Sequence, residues 1–461
     1  MSDYTNEQDN FINDKNDESI ILSATAGSGK THSSVGRLNR MIQDGVDPTR
    51  IIFFSFTNDA VNELKARIKH DVKITTIHSF TSSLLGRMGL FKPIVTFYDF
   101  TNWYKEKYKP HVKDPMKIKL DYAKTVDRFY EEGSSISSTF SAYKLQSSDG
   151  IKIGKPQFYD EYVAFIKATK SRDFSDMLID TERLSRDPKY KQFFEGLYDY
   201  IFVDEYQDTS TLQMKILLAI KAKQYHLIGD KNQSIYGFSG ANCDAIENLL
   251  KKEHKTVEMT LTKNFRSHKK IVENSNRYSS LVAIPHHELE GYIHDKLIDE
   301  DRMYEMMQDG NPVTILARTN SVIKEIEKHC LKKKIPMRYF NFITPSDIEK
   351  IEEGKINPSL KKRLEAVSPY HGNTIGLIKF IQSNEKSDVF VTSIHKSKGR
   401  EFQRVIVINS IDPELIAETE YDFEDYSFIK NDGDIDIEAR NVHYVAVTRP
   451  KEELYFLVFE T

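Results

Sequence analysis

At 461 residues the chain exceeds the length at which a single hydrophobic core stops growing, so we expect at least two domains. Its net charge of -4 excludes a wholly basic DNA-coating protein but permits a local basic groove. No apolar run approaches the roughly 18–20 residues that cross a bilayer, and residues 1–19 are polar and acidic, unlike a signal peptide. The 2 cysteines lie far apart, which favours neither a disulfide framework nor a zinc site, and we expect a cytoplasmic protein.

The first informative element is an apolar strand at residues 20–24 that runs into the sequence ATAGSGKT. The spacing follows G-x-x-x-x-G-K-[ST], with Ala24 in place of the first glycine. Small residues let successive backbone N–H groups surround a polyphosphate, Lys30 can reach its β and γ oxygens, and the Thr31 hydroxyl can bind Mg²⁺. The predicted nucleoside-triphosphate loop comprises Ala24, Thr25, Ala26, Gly27, Ser28, Gly29, Lys30 and Thr31.

A buried strand at residues 200–203 delivers the second element, the carboxylates Asp204 and Glu205. Carboxylates at the end of a parallel strand lie beside the phosphate loop in doubly wound sheets. We expect Asp204 to hold Mg²⁺ and Glu205 to orient and deprotonate the attacking water. Two adjacent acids favour hydrolysis over transfer to a substrate hydroxyl.

The third element follows a strand at residues 225–229 and reads GDKNQSIYGFSGA. Gln233 is placed to sense the γ-phosphate, and Phe238 offers a face on which a nucleic-acid base can stack. A simple turn with an aromatic plug is the alternative.

Together these motifs resemble those of the UvrD/Rep/PcrA family of superfamily 1A DNA helicases. Other segments match the family's motifs in order: FTNDA at 56–60, TIHSF at 76–80, DFSDML at 173–178, LTKNFRS at 261–267, ILARTN at 315–320, SIHKSKGREF at 393–402, and EAR to YVAVTR at 438–449. The resemblance covers nearly the whole chain.

The resemblance implies further nucleotide contacts. It assigns adenine to Gln8 and Phe265, ribose to Glu401, and the γ-phosphate to Arg266 and Arg449. His32 stands where the family usually has arginine, which puts one nucleotide contact in doubt. The expected catalytic set is Lys30, Asp204, Glu205, Gln233, Arg266 and Arg449, with Thr31 and Asp204 as metal ligands. The two arginines belong to the second motor half. We therefore expect both halves to bind the same triphosphate and to separate on hydrolysis.

The resemblance also implies a single-strand track read by base stacking and backbone contacts. Its residues are Phe56, Thr57, Asn58, His78, Phe174, Phe238 and His395. Core packing of Phe56 and Phe174, and a purely structural His78, remain alternatives. The lysines and aromatics of residues 103–124 favour either a nucleic-acid surface or ordinary solvated helix faces.

The expected fold class is α/β, with two RecA-like parallel-sheet motor domains. We assign residues 1–84 and 173–256 to motor domain 1A, 85–172 to a helical insertion 1B, 257–342 and 387–461 to motor domain 2A, and 343–386 to a miniature 2B-like insertion. We expect helices at 95–109, 116–131 and 159–170, a flexible Ser/Gly-rich loop at 133–150, and a strand at 337–340. The acidic run at 414–438 is expected to be a solvated loop.

We therefore predict an ATP- and Mg²⁺-dependent DNA helicase that translocates on single-stranded DNA and acts at single-strand/duplex junctions, with 3′→5′ polarity implied by the resemblance alone. A translocase that displaces proteins without processive unwinding, and a nucleotide-gated DNA-binding loader, remain alternatives. RNA as the track is also left open. Replication or repair proteins are possible partners, and the short 2B segment favours activity as a monomer. With 12 residues after Arg449, we expect no fused nuclease.

Overall fold

The computed structural model describes residues 4–108, 125, 133–148, 152, 154–236, 241–338, 340, 342–354, 356, 358–411, 413–417, 426–428 and 435–459. The chain forms two compact units. The first comprises Met1–Ser23 and Lys30–Leu261, and the second comprises Ala24–Gly29 and Thr262–Thr461. The phosphate loop thus groups with the second unit, although it is covalently inserted in the first.

A six-stranded sheet forms the centre of the first unit. Its strands are β1 (Ser19–Ala24), β2 (Ile51–Phe54), β3 (Lys73–Thr75), β4 (Tyr200–Asp204), β5 (Gln224–Gly229) and β6 (Thr256–Leu261). They lie in the order β3-β2-β4-β5-β1-β6, and the β3-β2-β4-β5-β1 part is parallel. Because parallel strands end at one edge, β1, β4 and β5 carry their terminal polar residues to the same side.

Helices cover this sheet, as the βα pattern predicts. They are α1 (Asn6–Asn13), α2 (Lys30–Gln43), α3 (Asn58–Arg67), α4 (Ile77–Arg87), α5 (Phe97–Tyr108), α6 (Gly133–Ser148), α7 (Tyr159–Thr169), α8 (Phe174–Arg186), α9 (Thr211–Leu218) and α10 (Cys243–Glu253). Strand β3 ends at Thr75, because Thr76 caps α4 by accepting the Ser79 N–H at 3.2 Å.

The segment α5–α7 is helical where it is described. Its small core joins Phe100, Phe140, Tyr162 and Phe165. The loop expected at 133–150 was wrong, because residues 133–148 form α6. Serine is a weak helix former, but the burial of Phe140 and its neighbours outweighs that preference. The helix expected at 116–131 lies outside the described residues, apart from the isolated residue 125.

The second unit contains a five-stranded parallel sheet of order β11-β10-β12-β13-β9. Its strands are β9 (Tyr292–Leu297), β10 (Val313–Ala317), β11 (Val389–Ser393), β12 (Phe402–Ile408) and β13 (Pro450–Leu457), beside a small parallel pair of β7 (Lys263–Asn264) and β8 (Ile284–Pro285). The helices are α11 (Lys269–Ser275), α12 (Glu300–Met306), α13 (Asn320–Lys333), α14 (Pro345–Glu352), α15 (Pro358–Val367), α16 (Thr374–Ser383), α17 (Ile394–Ser397), α18 (Pro413–Ile416) and α19 (Ile437–Val447). Two parallel sheets with helices confirm the α/β class.

Two sequence expectations differ from this arrangement. Strand β6 belongs to the first sheet, so the first unit extends past residue 256 to Leu261. No strand forms among the described residues of 337–340, where Met337 and Phe340 are instead buried as core side chains. The acidic run at 414–438 lies largely outside the described residues.

The segment 343–386 shares its core with the rest of the second unit. Buried Ile348, Leu364 and Leu377 join the cluster that contains Ile315 and Ile326 of β10 and α13. Arg363 contacts both carboxylate oxygens of Asp347, at 2.8 and 3.0 Å. The three helices α14–α16 are therefore packed into the unit and do not form a core of their own.

Candidate nucleotide and nucleic-acid sites

The phosphate loop has the strained backbone that its glycines permit. Gly27 and Gly29 have φ angles of 72° and 80°, in the left-handed region. Ser28 closes the turn by donating both its N–H, at 3.3 Å, and its Oγ, at 2.8 Å, to the Thr25 carbonyl. This conformation suits a loop whose N–H groups surround an anion.

Asn264 holds this loop to the LTKNFRS segment within the second unit. Its Nδ2 donates to the Ala26 carbonyl at 2.7 Å, and its Oδ1 accepts the N–H groups of Arg266 and Ser267 at 2.8 and 2.9 Å. The Phe265 N–H adds a bond to the Gly27 carbonyl at 2.9 Å. Sequence reasoning gave Asn264 no role, because its partner on the loop is distant along the chain.

In the first unit, Lys30 begins α2 and lies beside the predicted catalytic base. Its Nζ is 3.6 Å from Glu205 Oε2. Thr31 and His32 follow in the first turn of α2, and the His32 ring faces Tyr4 with centroids 5.0 Å apart. The lysine and the carboxylate thus form an ion pair at the start of α2.

Asp204 is buried at the end of β4. Burial, reinforced by the charge of Glu205 and opposed by Lys30, raises the pKa of its carboxyl to about 7. The Asp204 carboxylate and the Thr31 hydroxyl are oxygen donors of the kind that Mg²⁺ prefers. Within the described ranges no cluster of three or more His, Cys, Asp or Glu side chains would hold a metal. Mg²⁺ typically binds through few protein ligands together with substrate phosphates.

Gln233 lies in the short 3₁₀ helix Lys231–Gln233 that follows β5. It is buried, and its Nε2 donates to Asp230 Oδ2 at 2.8 Å. Gln8 is also fixed: its Oε1 accepts the Thr5 N–H at 2.9 Å and its N–H donates to Thr5 Oγ1, forming a capping box on α1. Both glutamines therefore have defined orientations.

Two pairs of rings in the first unit include residues of the predicted single-strand track. Phe56 packs against Tyr236 with centroids 5.0 Å apart and the rings tilted by 31°, and His78 meets Phe174 edge-on at 5.5 Å. Phe56 and Phe174 are 41% and 52% exposed, so neither is a core residue. Sequence reasoning missed Tyr236, and Phe238 lies outside the described residues.

The remaining residues of this predicted track have structural partners. Burial lowers the pKa of His78, which favours the neutral ring. Thr57 caps α3 by accepting the Ala60 N–H at 3.2 Å, and Asn58 is the first residue of that helix. In the second unit His395 lies in α17, which Ser393 caps.

The basic and aromatic segment expected at 103–124 is described only as far as Tyr108. There Trp103 packs on Phe165 at 5.6 Å, and Lys107 Nζ lies 4.4 Å from the Trp103 ring centroid. The indole thus belongs to the helical core while the lysine covers its outer face.

In the second unit, the two predicted γ-phosphate arginines have different surroundings. Arg266 Nε donates to Glu401 Oε2 at 2.9 Å, and Lys451 pairs with the other oxygen at 2.5 Å. Although burial opposes it, the Lys451 hydrogen bond and the Arg266 charge lower the pKa of Glu401. Arg449 is fully buried and donates to the carbonyls of Val445 and Arg400 at 2.8 and 3.1 Å.

Phe265, the predicted adenine-stacking residue, is half-buried in the second unit. Its ring lies 4.8 Å from that of His286, centroid to centroid, and Lys263 Nζ lies 5.9 Å from the ring centroid. The backbone bond to Gly27 therefore ties this ring to the phosphate loop.

Comparisons with known proteins show the family of this chain. Residues 4–255 match the UvrD/REP helicase N-terminal domain, and residues 343–461 match the UvrD-like helicase C-terminal domain. The chain belongs to the UvrD/Rep helicase family, which confirms the resemblance seen in its motifs.

Individual relatives include two bacterial PcrA proteins. The chain is 26% identical over 410 residues to the ATP-dependent DNA helicase PcrA of Leuconostoc citreum, covering 80% of this chain and 49% of the relative. It is 28% identical over 363 residues to the same protein of Bacillus subtilis, covering 68% and 47%. A probable DNA helicase of Mycoplasma pneumoniae is 26% identical over 489 residues, covering 99% of this chain and 83% of that one. The chain thus spans about half the length of the PcrA proteins that it matches.

Across the described ranges, no helix has both the length and the apolar character needed to span a bilayer.

Proposed function

We propose that this chain is an ATP-hydrolysing motor that translocates 3′→5′ on single-stranded DNA and separates strands at duplex junctions. The observation that carries the proposal is the double role of residues 230–236. This segment places Gln233 beside Asp230, and three residues later the ring of Tyr236 packs against the exposed ring of Phe56. One short segment therefore joins a predicted phosphate sensor to a surface suited to base stacking.

The chemistry assigned to the first unit is hydrolysis of the γ-phosphate. Lys30 neutralises phosphate charge, and Glu205 takes a proton from the attacking water as the new oxygen–phosphorus bond forms. The bond to the bridging oxygen then breaks, releasing ADP and phosphate. Mg²⁺, held by Thr31 and Asp204, would supply charge neutralisation at the phosphate oxygens.

The roles of Arg266 and Arg449 at the γ-phosphate remain predictions. The buried Arg449 guanidinium donates to two backbone carbonyls, which fix its orientation. To contact a phosphate, it must give up one of these hydrogen bonds. Arg266 is held by Glu401, the predicted ribose contact.

Activity as a monomer is proposed from the packing of segment 343–386. Its helices share the core of the second unit, and the Arg363–Asp347 pair fixes α15 to α14. Such a segment has no separate core about which to swivel. Single-turnover unwinding with enzyme below the substrate concentration tests this, and activity only at excess enzyme would contradict it.

Tailed duplexes test the motor itself. We expect ATP-dependent strand separation from a 3′ single-stranded tail and much less from a 5′ tail. Lys30→Ala is the inactive control, because it removes the phosphate-binding ammonium. Movement along the strand without separation would favour the protein-displacing translocase, and ATP turnover insensitive to DNA would favour the loader.

A further inference from the structure

Gln207 contacts the predicted catalytic base directly. Glu205 has a φ of 53°, in the left-handed region that non-glycine residues rarely adopt, which marks the backbone here as locally strained. Gln207 is fully buried, and its Nε2 donates a hydrogen bond to Glu205 Oε2, the oxygen that also faces Lys30.

The other end of the same amide reaches the segment that follows β5. Gln207 Oε1 accepts the Asp230 N–H at 3.1 Å, and the Asp230 carboxylate accepts Gln233 Nε2 at 2.8 Å. The Gln207 carbonyl also accepts Ser234 Oγ at 3.1 Å. Gln207 therefore bonds to the base with its amide nitrogen and to the Gln233 segment with two oxygens.

Gly229 leaves the space that this amide occupies. A Cβ at that position would overlap Gln207 Oε1 and would lie 2.7 Å from Tyr206 Cδ1. Glycine is therefore favoured at the end of β5 because a side chain would clash there, and not because of its φ angle.

We infer that Gln207 is a positioning residue that sets the orientation of Glu205 according to the state of the Gln233 segment. This inference rests on the proposed ATP hydrolysis. When Gln233 and Asp230 move on sensing the γ-phosphate, the Gln207 amide moves with them and aligns or misaligns the base. The arrangement links phosphate sensing, base orientation and, through Tyr236, the base-stacking surface in one chain of contacts.

The test compares Gln207→Met with wild type in steady-state ATP hydrolysis with single-stranded DNA, alongside binding of a non-hydrolysable ATP analogue. Methionine keeps the shape and removes both amide bonds. We expect kcat to fall about 10-fold to 100-fold, since hydrogen bonds to charged groups are of that strength. The KM for ATP and the Kd of the analogue should stay within about twofold. Gln224→Met is the matched control, because Gln224 is a buried glutamine of the same unit, in β5, whose Nε2 donates to the Asn16 carbonyl at 2.7 Å.

A double-mutant cycle with Gln233→Ala tests the link itself. If Gln207 transmits the effect of Gln233, kcat of the double variant should be no lower than kcat of the slower single variant. If the two single-variant losses in kcat multiply in the double variant, the link is wrong. Loss of analogue binding in Gln207→Met would also overturn the inference, because it would show a general structural role.

The same measurements separate two kinds of failure. If wild type hydrolyses ATP and Gln207→Met matches it, the positioning role is wrong and the proposed function stands. If wild type hydrolyses no ATP with or without DNA, the proposed function is wrong and this inference falls with it.

Discussion

Tyr236 packs against Phe56 with ring centroids 5.0 Å apart, and it lies three residues after the predicted phosphate sensor Gln233. Replacing Tyr236 by alanine removes one of two rings available to a base. We expect single-stranded DNA affinity to fall by about 1–3 kcal/mol, as for loss of one base–aromatic stack. Fluorescence anisotropy with a labelled oligonucleotide measures it.

Tyr236→Phe should bind like wild type, because stacking needs the ring and not the hydroxyl. The control Tyr370→Ala removes a half-exposed tyrosine from the second unit and should leave affinity unchanged. Equal affinity for Tyr236→Ala and wild type would remove this pair from the DNA track.

Asn264 gives a second prediction, on nucleotide binding. Its three bonds hold the Ala26 carbonyl and the Arg266 and Ser267 N–H groups. Asn264→Ala should raise the Kd for an ATP analogue about tenfold or more, because each lost buried bond costs about 1 kcal/mol. Isothermal titration measures the change.

Asn276→Ala is its matched control, because Asn276 similarly bridges the N–H and carbonyl of Ala283, at 2.7 and 2.9 Å. It should leave the analogue Kd near the wild-type value. A similar loss of affinity in both variants would show that the effect is general to the unit.

The buried ion cluster beneath Phe174 gives a third prediction. Lys144 Nζ contacts Asp173 and Asp176 at 2.7 and 2.8 Å, and Tyr162 donates to the same Asp173 oxygen at 2.9 Å. Lys144→Met would leave two neighbouring carboxylates without their counter-charge, which costs about 3–5 kcal/mol. Thermal unfolding at pH 7.5 should show a clear loss of stability.

The pH dependence of that variant follows from Asp176. Burial and the charge of Asp173 raise the pKa of Asp176 already in the presence of Lys144. A carboxyl whose pKa is higher in the folded state than in the unfolded state favours folding most when it is protonated. The free energy of unfolding therefore falls as the pH rises and the carboxyl ionises. Lys144→Met should therefore lose less stability at pH 5 than at pH 7.5, and the opposite trend would contradict the assignment.

His226 gives the fourth prediction. Its ring is fully buried, 4.4 Å from that of Phe202, and neither nitrogen has a hydrogen-bond partner among the described residues. Burial, and secondarily the charge of Arg37, lower its pKa well below the usual value. Below about pH 6.5 this histidine is protonated in the unfolded chain but stays neutral in the folded chain. The free energy of unfolding therefore falls by up to about 1.4 kcal/mol for each pH unit of acidification.

Replacing His226 by phenylalanine should flatten that decline. Urea unfolding between pH 5 and 7.5 measures the slope, and His70→Phe, at an exposed position, is the control. An unchanged slope in His226→Phe would show that other groups cause the acid sensitivity.

These sites show what local patterns could predict. The phosphate loop, the carboxylates after β4 and the segment after β5 were predictable, because each is a short polar stretch after an apolar strand. Tyr236 against Phe56 and Asn264 against Ala26 were not predictable, because their partners meet only in the folded chain. Helix α6 was missed because its serines indicated a loop, and the edge strand β9 because none of its side chains is buried.

The most direct measurement is the rate of ATP hydrolysis with and without single-stranded DNA, for wild type and Glu205→Gln. We predict strong stimulation of wild type by DNA. The variant should lose turnover yet still bind ATP, because Asp204 and Lys30 are kept and only the base is removed. Wild-type turnover that DNA does not change, or full activity in Glu205→Gln, would contradict the account.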